Sequence, residues 1–332
     1  MQVLVTGGTG YVGSHACVAL LQAGYDVIVV DNLSNSSIEV LQNIEAIVDK
    51  RVTFYQLDLR EKTALQTVFQ THAITAVMHF AGLKSVDESV RLPLKYYDAN
   101  VASAICLCEV MQEAGVFQLV FSSSATVYGH AETLPISEQH PLSPINPYGN
   151  SKCMIETLFQ DCSLADPKWR IAILRYFNPV GADPSGLIGE QPQGVPNNIM
   201  PYMLNVAIGK LPQLKIFGND YPTPDGTGIR DYIHVVDLVR GHLHALNYLQ
   251  SNPGCLICNL GTGRGYSVLE LIHTFEQATK VKIPYQIVGR RPGDVSSCYA
   301  DPRFAFEVLR WKSQRDLFTM CEDAWRWQTR FH

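Results

Sequence analysis

The stretch V-L-V-T-G-G-T-G-Y-V-G, residues 3–13, decides the fold of this chain. An apolar, β-rich run leads directly into a glycine-rich loop, and a helix-length segment follows from near Tyr11. Glycines at this spacing allow a tight turn, the close approach of a pyrophosphate and close packing of a helix on a sheet. The free N–H groups at the start of that helix favour a phosphate. The stretch therefore predicts a dinucleotide-binding loop at Gly7, Gly10 and Gly13.

The next β-rich run, V-I-V-V-D, ends at Asp31, and this position indicates which dinucleotide binds. A carboxylate there accepts hydrogen bonds from the adenosine ribose diol. A 2'-phosphate would meet its negative charge, with no basic residue before Lys50 to compensate. The pattern therefore predicts NAD rather than NADP. Asp58, after the third β-rich run, is expected beside the adenine, although a helix N-cap is an alternative interpretation.

Six β-rich apolar runs alternate with helix-length segments such as residues 13–23 and 96–114. The runs begin at Val3, Val27, Val52, Ala76, Leu119 and Ile171. Strands without polar alternation, separated by helices, are typical of a parallel sheet covered on both faces. We therefore predict an α/β fold with a doubly wound parallel (Rossmann) sheet.

Beyond the sixth run the chain becomes less regular, which predicts a second unit. Residues 179–196 contain four prolines and four glycines and are predicted to form a loop. We expect a NAD-binding domain over residues 1–178, with a return near residues 234–260. A smaller α/β substrate-binding domain is expected over residues 179–332.

Composition excludes several classes of partner. The 332 residues carry a formal charge of -5 without a basic block, which argues against nucleic acid and anionic lipid. No apolar run approaches the ~18 residues of a membrane span, and no signal-like segment opens the chain, so a cytoplasmic protein is expected. The nine cysteines suit reduced thiols. Cys255 and Cys258 form a lone C-x-x-C without a second pair at zinc spacing, so no metal site is predicted.

The stretch N-P-Y-G-N-S-K, residues 146–152, places Tyr148 and Lys152 four positions apart. Pro147 is expected to mark a helix start, and in a helix these two side chains share one face. A tyrosine has a pKa of ~10, so acting as a base near pH 7 requires a drop of about 3 units, or roughly 4 kcal/mol. A lysine cation and a positive nicotinamide ring would together supply this stabilisation.

A serine-rich stretch, F-S-S-S-A-T-V-Y-G, follows the fifth β-rich run and supplies the third polar group. Ser124 is expected just past the strand end, at the carboxyl edge where doubly wound sheets bind ligands. Its hydroxyl can hydrogen-bond the same substrate oxygen as Tyr148. Together with the glycine loop and Asp31, these residues predict a catalytic site rather than a turn serine and a packed tyrosine.

Several longer strings identify a family. They are G-G-T-G-Y-V-G, D-N-L-S-N-S-S, H-F-A-G-L-K-S-V, F-S-S-S-A-T-V-Y-G, Y-G-N-S-K, R-Y-F-N-P-V-G-A, N-L-G-T-G and R-R-P-G-D. Through them the chain resembles, over nearly its whole length, the extended short-chain dehydrogenase/reductase family and its UDP-hexose 4-epimerases. The resemblance implies an enzyme with tightly held NAD that inverts C4 of UDP-hexoses, UDP-galactose to UDP-glucose, through a 4-keto sugar. It also implies a homodimer formed by the helices near Tyr96 and Tyr148.

The resemblance also implies roles for individual residues. Tyr148 would remove the proton of the 4-hydroxyl, Lys152 would hold the nicotinamide ribose, and Ser124 would orient the reacting oxygen. The cofactor positions that it implies are Gly7, Gly10, Tyr11, Val12, Gly13, Asp31, Asn32, Leu33, Ser34, Asn35, Ser36, Asp58, Leu59, Phe80, Ala81, Gly82, Lys84, Asn100, Ser122, Tyr148, Lys152 and Phe177. The UDP-sugar positions are Lys84, Ser124, Tyr148, Asn178, Asn198, Ile199, Lys215, Phe217, Arg230, Arg291, Asp294 and Cys298.

The chain departs from the family pattern at two positions. Cys298 stands where some members have a bulky tyrosine beside the hexose, so a 2-acetamido group would have room and UDP-N-acetylhexosamines are also expected as substrates. Asp183 stands in place of an expected histidine, with no consequence assigned.

Two alternative functions share the same fold. A nucleotide-sugar 4,6-dehydratase begins with the same oxidation but needs acid and base groups where this chain has Ala125 and Thr126, and alanine transfers no proton. A non-catalytic NAD-binding scaffold commonly lacks the tyrosine or the lysine, and this chain has both.

Overall fold

A seven-stranded parallel sheet forms the centre of the protein, in a computed structural model that describes residues 1–194, 196–291 and 293–330. Its strands are β1 (Gln2–Thr6), β2 (Asp26–Asp31), β3 (Thr53–Gln56), β4 (Ile74–His79), β5 (Gln118–Ser124), β6 (Arg170–Tyr176) and β11 (Gly254–Leu260). They lie in the order β3-β2-β1-β4-β5-β6-β11. The predicted α/β, doubly wound sheet is confirmed.

Helices cover both faces of this sheet. The helices of this part of the fold are α1 (Tyr11–Gln22), α2 (Glu39–Val48), α3 (Lys62–Thr71), α4 (Val86–Arg91), α5 (Pro93–Tyr96), α6 (Ser103–Glu113), α7 (Pro147–Ala165), α9 (Val235–Leu249) and α11 (Arg303–Leu309). Three further helices, α8 (Ile199–Ala207), α10 (Val268–Thr279) and α12 (Leu317–Arg330), pack in a separate core. Successive strand residues point to opposite faces. Val3 and Val5 accordingly pack with α1 and α9, whereas Leu4 packs in a second core with α3, α6 and α7. None of the described helices is long and apolar enough to cross a membrane.

Short strands and helices build a second region after residue 177. The strands are β7 (Asn178–Val180), β8 (Leu214–Phe217), β9 (Ile229–Arg230), β10 (Tyr232–His234), β12 (Tyr266–Ser267), β13 (Tyr285–Val288) and β14 (Ser297–Cys298). They form three small sheets, β10-β7, β12-β9-β14 and β13-β8. A separate apolar core joins α8, α10 and α12. Because β11 lies beside β6, the chain returns to the central sheet. The division into two domains stays a prediction.

Three local predictions need correction. The helix expected over residues 96–114 is interrupted by a π-helical segment, Tyr97–Ala102, of the kind often found at functional sites. The loop expected from Pro179 begins instead with the short strand β7, because that strand pairs with β10. Ser124 is the last residue of β5 rather than the first residue beyond it, and a 3₁₀-helical turn, Ala125–Tyr128, follows.

Candidate active site

The glycine loop lies where β1 meets α1, and two of its glycines are required by close contacts. Gly7 has φ +70°, and a Cβ there would lie 2.6 Å from the nitrogen of Ala81. A Cβ on Gly13 would lie 2.1 Å from the carbonyl oxygen of Gly7. Only glycine therefore lets α1 approach the loop so closely. Gly10 is the N-cap of α1, which leaves the first N–H groups of that helix available to an anion.

A cavity of about 880 Å³ opens at this loop. Its other walls come from the ends of β2, β3 and β4, from residues 187–194 and from Tyr148 and Lys152. The ends of β2, β3 and β4 in this wall are the carboxyl ends of parallel strands, where doubly wound sheets bind ligands. The predicted phosphate loop and the predicted catalytic pair thus line one cavity. Its size and polar groups fit a dinucleotide.

Asp31 organises the end of the cavity expected to hold the adenosine. Its carboxylate accepts hydrogen bonds from the backbone nitrogens of Thr9 at 3.2 Å and Leu33 at 2.9 Å, and from the Ser36 hydroxyl at 3.3 Å. These donors orient the carboxylate at the cavity wall. This geometry is compatible with a ribose diol and leaves the negative charge in place.

Asp58 lies beside Asp31 and is fixed by basic and amide donors. Hydrogen bonds from Arg60 hold the pKa of Asp58 well below its usual range, although partial burial acts in the opposite direction. Asn32 donates to the same carboxylate at 3.0 Å. The N-cap of α3 is Glu61, so the alternative interpretation of Asp58 as a helix cap is wrong. Arg60 also lies at this wall, but Asp58 and Asp98 both pair with it.

The catalytic pair lies in the first turns of α7. Pro147 begins the helix as predicted, and the Asn146 side chain caps it by accepting from the nitrogen of Gly149 at 2.9 Å. Lys152 Nζ donates to the carbonyl oxygen of Ser122 at 2.9 Å and lies 5.9 Å from the ring centroid of Tyr148. Both side chains are buried at the cavity wall.

Burial governs the ionisation of this pair. It raises the pKa of Tyr148 well above its ordinary value, and a hydrogen bond with Ser124 opposes the rise. Burial also lowers the pKa of Lys152 to about 8, with the charge of Glu156 acting against it. The chain's own groups therefore keep the phenol protonated. The expected drop in the pKa of Tyr148 is not produced by Lys152 alone.

Thr126 orients Ser124, a role that the sequence did not reveal. The Ser124 hydroxyl oxygen accepts from the Thr126 nitrogen at 3.2 Å and from the Thr126 hydroxyl at 3.0 Å. Since a hydroxyl oxygen has two lone pairs, these bonds leave its proton to be donated. Ser124 can therefore act as a donor to Tyr148 or to a substrate oxygen.

Glu190 is a second residue that the sequence did not single out. It lines the cavity and is almost fully buried. It pairs with Lys84 at 2.7 Å and accepts from the Asn198 amide at 2.9 Å. Burial, the largest single influence, acts to lower the pKa of Lys84, but the charge and the hydrogen bond of Glu190, with a smaller contribution from Tyr176, together raise it. Lys84 is therefore a cation whose position Glu190 holds.

His242 supports the cofactor wall from α9. Its Nδ1 lies 3.0 Å from the carbonyl oxygen of Leu238, so Nδ1 carries the proton and Nε2 accepts from the Ser122 hydroxyl at 3.1 Å. Burial lowers the pKa of His242 to about 4. The centroid of this neutral ring lies 4.9 Å from the ring centroid of Phe80 and 6.1 Å from that of Tyr176. The sequence did not indicate this role, because His242 lies far along the chain from the motifs that it supports.

Residues predicted for the UDP end form a separate cluster. The Arg291 guanidinium lies 5.3 Å from the centroid of Phe217 and bonds Asp294 at 3.0 and 3.2 Å. Arg230 lies 3.9 Å from the same carboxylate and is paired with Cys298 across β9 and β14. Cys298 packs against the apolar cluster that contains Phe177 and Ala125, the residue after Ser124. Cys298 therefore lies between the strand of Arg230 and the turn that follows Ser124.

The remaining predicted residues differ in how the structure places them. Asn100 bonds both backbone groups of Leu83 and holds the floor of the cavity rather than lining it. Phe177 is buried in the apolar cluster. Asn178 and Lys215 are exposed, and Ile199 begins α8. None of these last three residues lines the cavity.

Fold and site together define a nucleotide-binding α/β enzyme with a tyrosine–lysine pair. The profile of the NAD dependent epimerase/dehydratase family matches residues 3–261, and the chain belongs to that family. The predicted NAD-binding epimerase is therefore confirmed.

Individual proteins are similar over their full length. A UDP-glucose 4-epimerase of Bacillus subtilis (strain 168) is 55% identical over 99% of this chain and 97% of its own. The crystal structure of UDP-glucose-4-epimerase from Stenotrophomonas maltophila, with bound NAD and formylated UDP-arabinopyranose, has a TM-score of 0.98 at 50% identity and covers 100% of this chain and 98% of that one. The crystal structure of UDP-glucose 4-epimerase from Bifidobacterium longum, in complex with NAD+ and UDP, has a TM-score of 0.96 at 48% identity. It covers 99% of this chain and 98% of that one.

Asp31→Asn should weaken the preference for NAD over NADP by about tenfold or more, equivalent to roughly 1.4 kcal/mol. The amide keeps an acceptor for the loop but removes the charge that repels a 2'-phosphate. Titration calorimetry of cofactor-free protein with both dinucleotides measures the ratio. Asp26→Asn, at the opposite end of β2, is the matched control. An unchanged ratio in Asp31→Asn would contradict the assigned role.

Proposed function

We propose that this protein interconverts UDP-galactose and UDP-glucose by inverting C4 of the sugar. One observation carries the proposal: the Tyr148 phenol and the Lys152 ammonium line the same cavity as the glycine loop. Full-length similarity to UDP-glucose 4-epimerases supports it. The reaction belongs to the metabolism of galactose.

The cavity residues suit NAD. A side chain at Gly7 or Gly13 would fill the space beside the loop, and the first N–H groups of α1 suit a pyrophosphate. When bound, NAD supplies a reversible two-electron oxidation at C4 of the sugar. The loop would hold the phosphates and Asp31 the adenosine ribose. Lys152 would hold the nicotinamide ribose.

Tyr148 is the proposed general base. Its phenol would take the proton of the 4-hydroxyl as the sugar is oxidised and return it when the sugar is reduced on its other face. Because burial raises the pKa of Tyr148, the phenolate requires nearby positive charge. Lys152, which is largely cationic at pH 7 with a pKa of about 8, supplies part of it. The donor proton of Ser124 would direct the reacting oxygen toward the phenol.

The UDP end would be held by the cluster around Asp294. Phe217 presents an exposed ring suited to stacking on uracil, and its guanidinium neighbour Arg291 suits a phosphate. Arg230 lies on the same side, in contact distance of Asp294. Both arginines are paired with Asp294, so binding a diphosphate would exchange these ion pairs for contacts with the ligand. Lys84, Asn178, Asn198, Ile199 and Lys215 complete the proposed set.

Tyr148→Phe should lower kcat for UDP-galactose by about 10²- to 10⁴-fold, the usual contribution of a general base. The ring still fills its buried site, so folding and NAD content should be retained. Turnover is measured as UDP-glucose formed without added NAD, with Tyr25→Phe, remote from the cavity, as control. Full activity in Tyr148→Phe would remove the proposed base. A dehydrated 4-keto product from the wild type would instead indicate a 4,6-dehydratase.

We also propose that UDP-N-acetylhexosamines are substrates, because Cys298 is small. Cys298→Tyr should lower kcat/KM for UDP-GlcNAc by at least about tenfold while UDP-glucose turnover is retained, since the ring would occupy the acetamido space. Cys298→Ser, which preserves the size, is the control. Equal loss for both substrates, or no turnover of UDP-GlcNAc by the wild type, would contradict this proposal.

A homodimer is proposed from exposed apolar residues on the packed helices α5, α6 and α7. Leu94 is 81% exposed and Met154 is 51% exposed, and Ile105 is also exposed. Such a patch favours association. Light scattering should give twice the 36.9 kDa chain mass for the wild type, and Met154→Glu should shift it toward the monomer. Ile38→Glu, on a different surface, should leave it unchanged. A monomeric wild type would exclude the dimer.

A further inference from the structure

Helix α7 carries a buried carboxylate, Glu156, one turn beyond Lys152 on the same face. The mechanism above does not use it. Arg175 on β6 donates to it from Nε at 3.1 Å and from Nη2 at 2.6 Å. The Ser123 hydroxyl on β5 also donates to it. Glu156 is therefore a fully paired charge directly behind the catalytic pair.

The pairing extends beyond α7 and fixes the helix to several elements. Arg175 Nη1 donates to the Tyr128 hydroxyl at 3.1 Å, and Tyr128 donates to Asn259 at 2.7 Å. These bonds join α7 to β6, to β11 and to the turn after β5. A buried ion pair with satisfied hydrogen bonds is rigid but costly to break.

Three consecutive serines of β5 match three successive turns of α7. Ser124 interacts with Tyr148 and lowers the pKa of its phenol against the effect of burial, and the carbonyl oxygen of Ser122 accepts from Lys152. Ser123 donates to Glu156, four residues further along the helix. Tyr148, Lys152 and Glu156 thus lie at i, i+4 and i+8 on one face. Glu156 is the last of three contacts that set the helix against the strand.

The charge of Glu156 acts on Lys152. The titratable groups facing Lys152 are Tyr148 and Glu156 on its own helix and His79 on β4. Burial and the charge of Lys152 lower the pKa of His79 to about 3, so its ring is neutral near pH 7. Burial keeps the Tyr148 phenol neutral. Among the described groups, Glu156 is therefore the negative charge that favours the ammonium.

The surroundings of Glu156 allow it to act in this way. The groups facing it are Arg175 on β6, Cys153 on α7 and Cys255 on β11. The pKa values of both thiols are raised, chiefly by burial, so neither carries a charge near pH 7. Arg175 is the one cation among them and forms a buried ion pair with the carboxylate.

We propose that Glu156, held by Arg175 and Ser123 one turn beyond Lys152 on the same buried face of α7, is a positioning residue that keeps the Lys152 side chain protonated beside the catalytic phenol. Its effect on turnover rests on the proposed epimerisation. The protonation of Lys152 itself is measurable whether or not that reaction occurs. An experiment can therefore reject the role of Glu156 without rejecting the proposed epimerisation, and the reverse.

The test is Glu156→Gln in the NAD-loaded, full-length protein labelled with ¹³C-lysine. The Lys152 Cε resonance, assigned by its loss in Lys152→Arg, is followed against pH. The titration midpoint should fall by about one unit, because the amide removes the opposite charge and leaves that of Arg175. The alkaline limb of kcat for UDP-galactose should move downward by the same amount.

Glu138→Gln is the matched control. Glu138 is a half-buried glutamate on the other side of Arg175, where it accepts from the Asn259 nitrogen at 2.7 Å. It contacts the same network but does not face Lys152. This variant should leave the Lys152 midpoint in place. An equal shift in Glu138→Gln would mean that any disturbance of the buried network around Arg175 changes the titration of Lys152, and it would overturn the proposal.

A second variant keeps the proposal falsifiable if Glu156→Gln does not fold. Glu156→Gln combined with Arg175→Gln removes both buried charges, which proteins tolerate better than one unpaired charge. The Lys152 midpoint should still lie below that of the wild type. An unchanged midpoint in either folded variant overturns the proposal. A shifted midpoint without any turnover by the wild type would sustain the role of Glu156 and reject the proposed reaction.

Discussion

The hydrogen bond from Lys152 Nζ to the carbonyl oxygen of Ser122 is the contact on which the site depends. It joins the first turns of α7 to the carboxyl end of β5. A buried ammonium is costly unless its protons are satisfied, so the bond restricts where the helix can lie. With α7 held there, the Tyr148 phenol lies at the wall of the cavity that begins at the glycine loop.

The central sheet brings the necessary groups to one edge. Parallel strands all end on the same side, so the glycine loop, Asp31 and the β5 serines are neighbours although far apart in sequence. Several buried polar groups at this edge are paired with one another, as with His242 and Ser122, although His79 Nε2 has no hydrogen-bond partner among the described residues. In the second region, the buried carboxylate of Asp231 is likewise satisfied by hydrogen-bond donors. Burial raises the pKa of that carboxyl to about 6, and hydrogen bonds from Thr262, among others, oppose the rise.

Electrostatics in the site reflect a balance between burial and charge. Burial alone disfavours both a tyrosinate and a lysine cation. The protein offsets this for Lys152 with the charge of Glu156, and for Lys84 with that of Glu190. For Tyr148, burial outweighs the hydrogen bond with Ser124, and the nearby Lys152 ammonium supplies only part of the positive charge that a phenolate requires. The ionisation of the phenol in the proposed mechanism therefore depends on the bound cofactor.

Local sequence determined the strands, the glycine loop and the start of α7, because each depends on neighbouring residues. The apolar runs, the glycine spacing and the proline at 147 carry that information directly. Asp31 and the Tyr148–Lys152 pair followed from fixed offsets within these elements, and the family strings named further positions. The π-helical segment at Tyr97 did not follow, since no short-range pattern marks it.

Tertiary structure alone decided which distant residues support the site. Glu190, His242 and Glu156 act through partners on other elements, and no spacing rule connects positions more than a few turns apart. Long-range packing also set the pKa directions, because burial depends on the whole fold rather than on neighbouring residues. The sequence by itself thus determined the elements and the residues that perform chemistry at their ends. Only the folded chain decided their protonation and the groups that hold them, since both depend on contacts across the sheet.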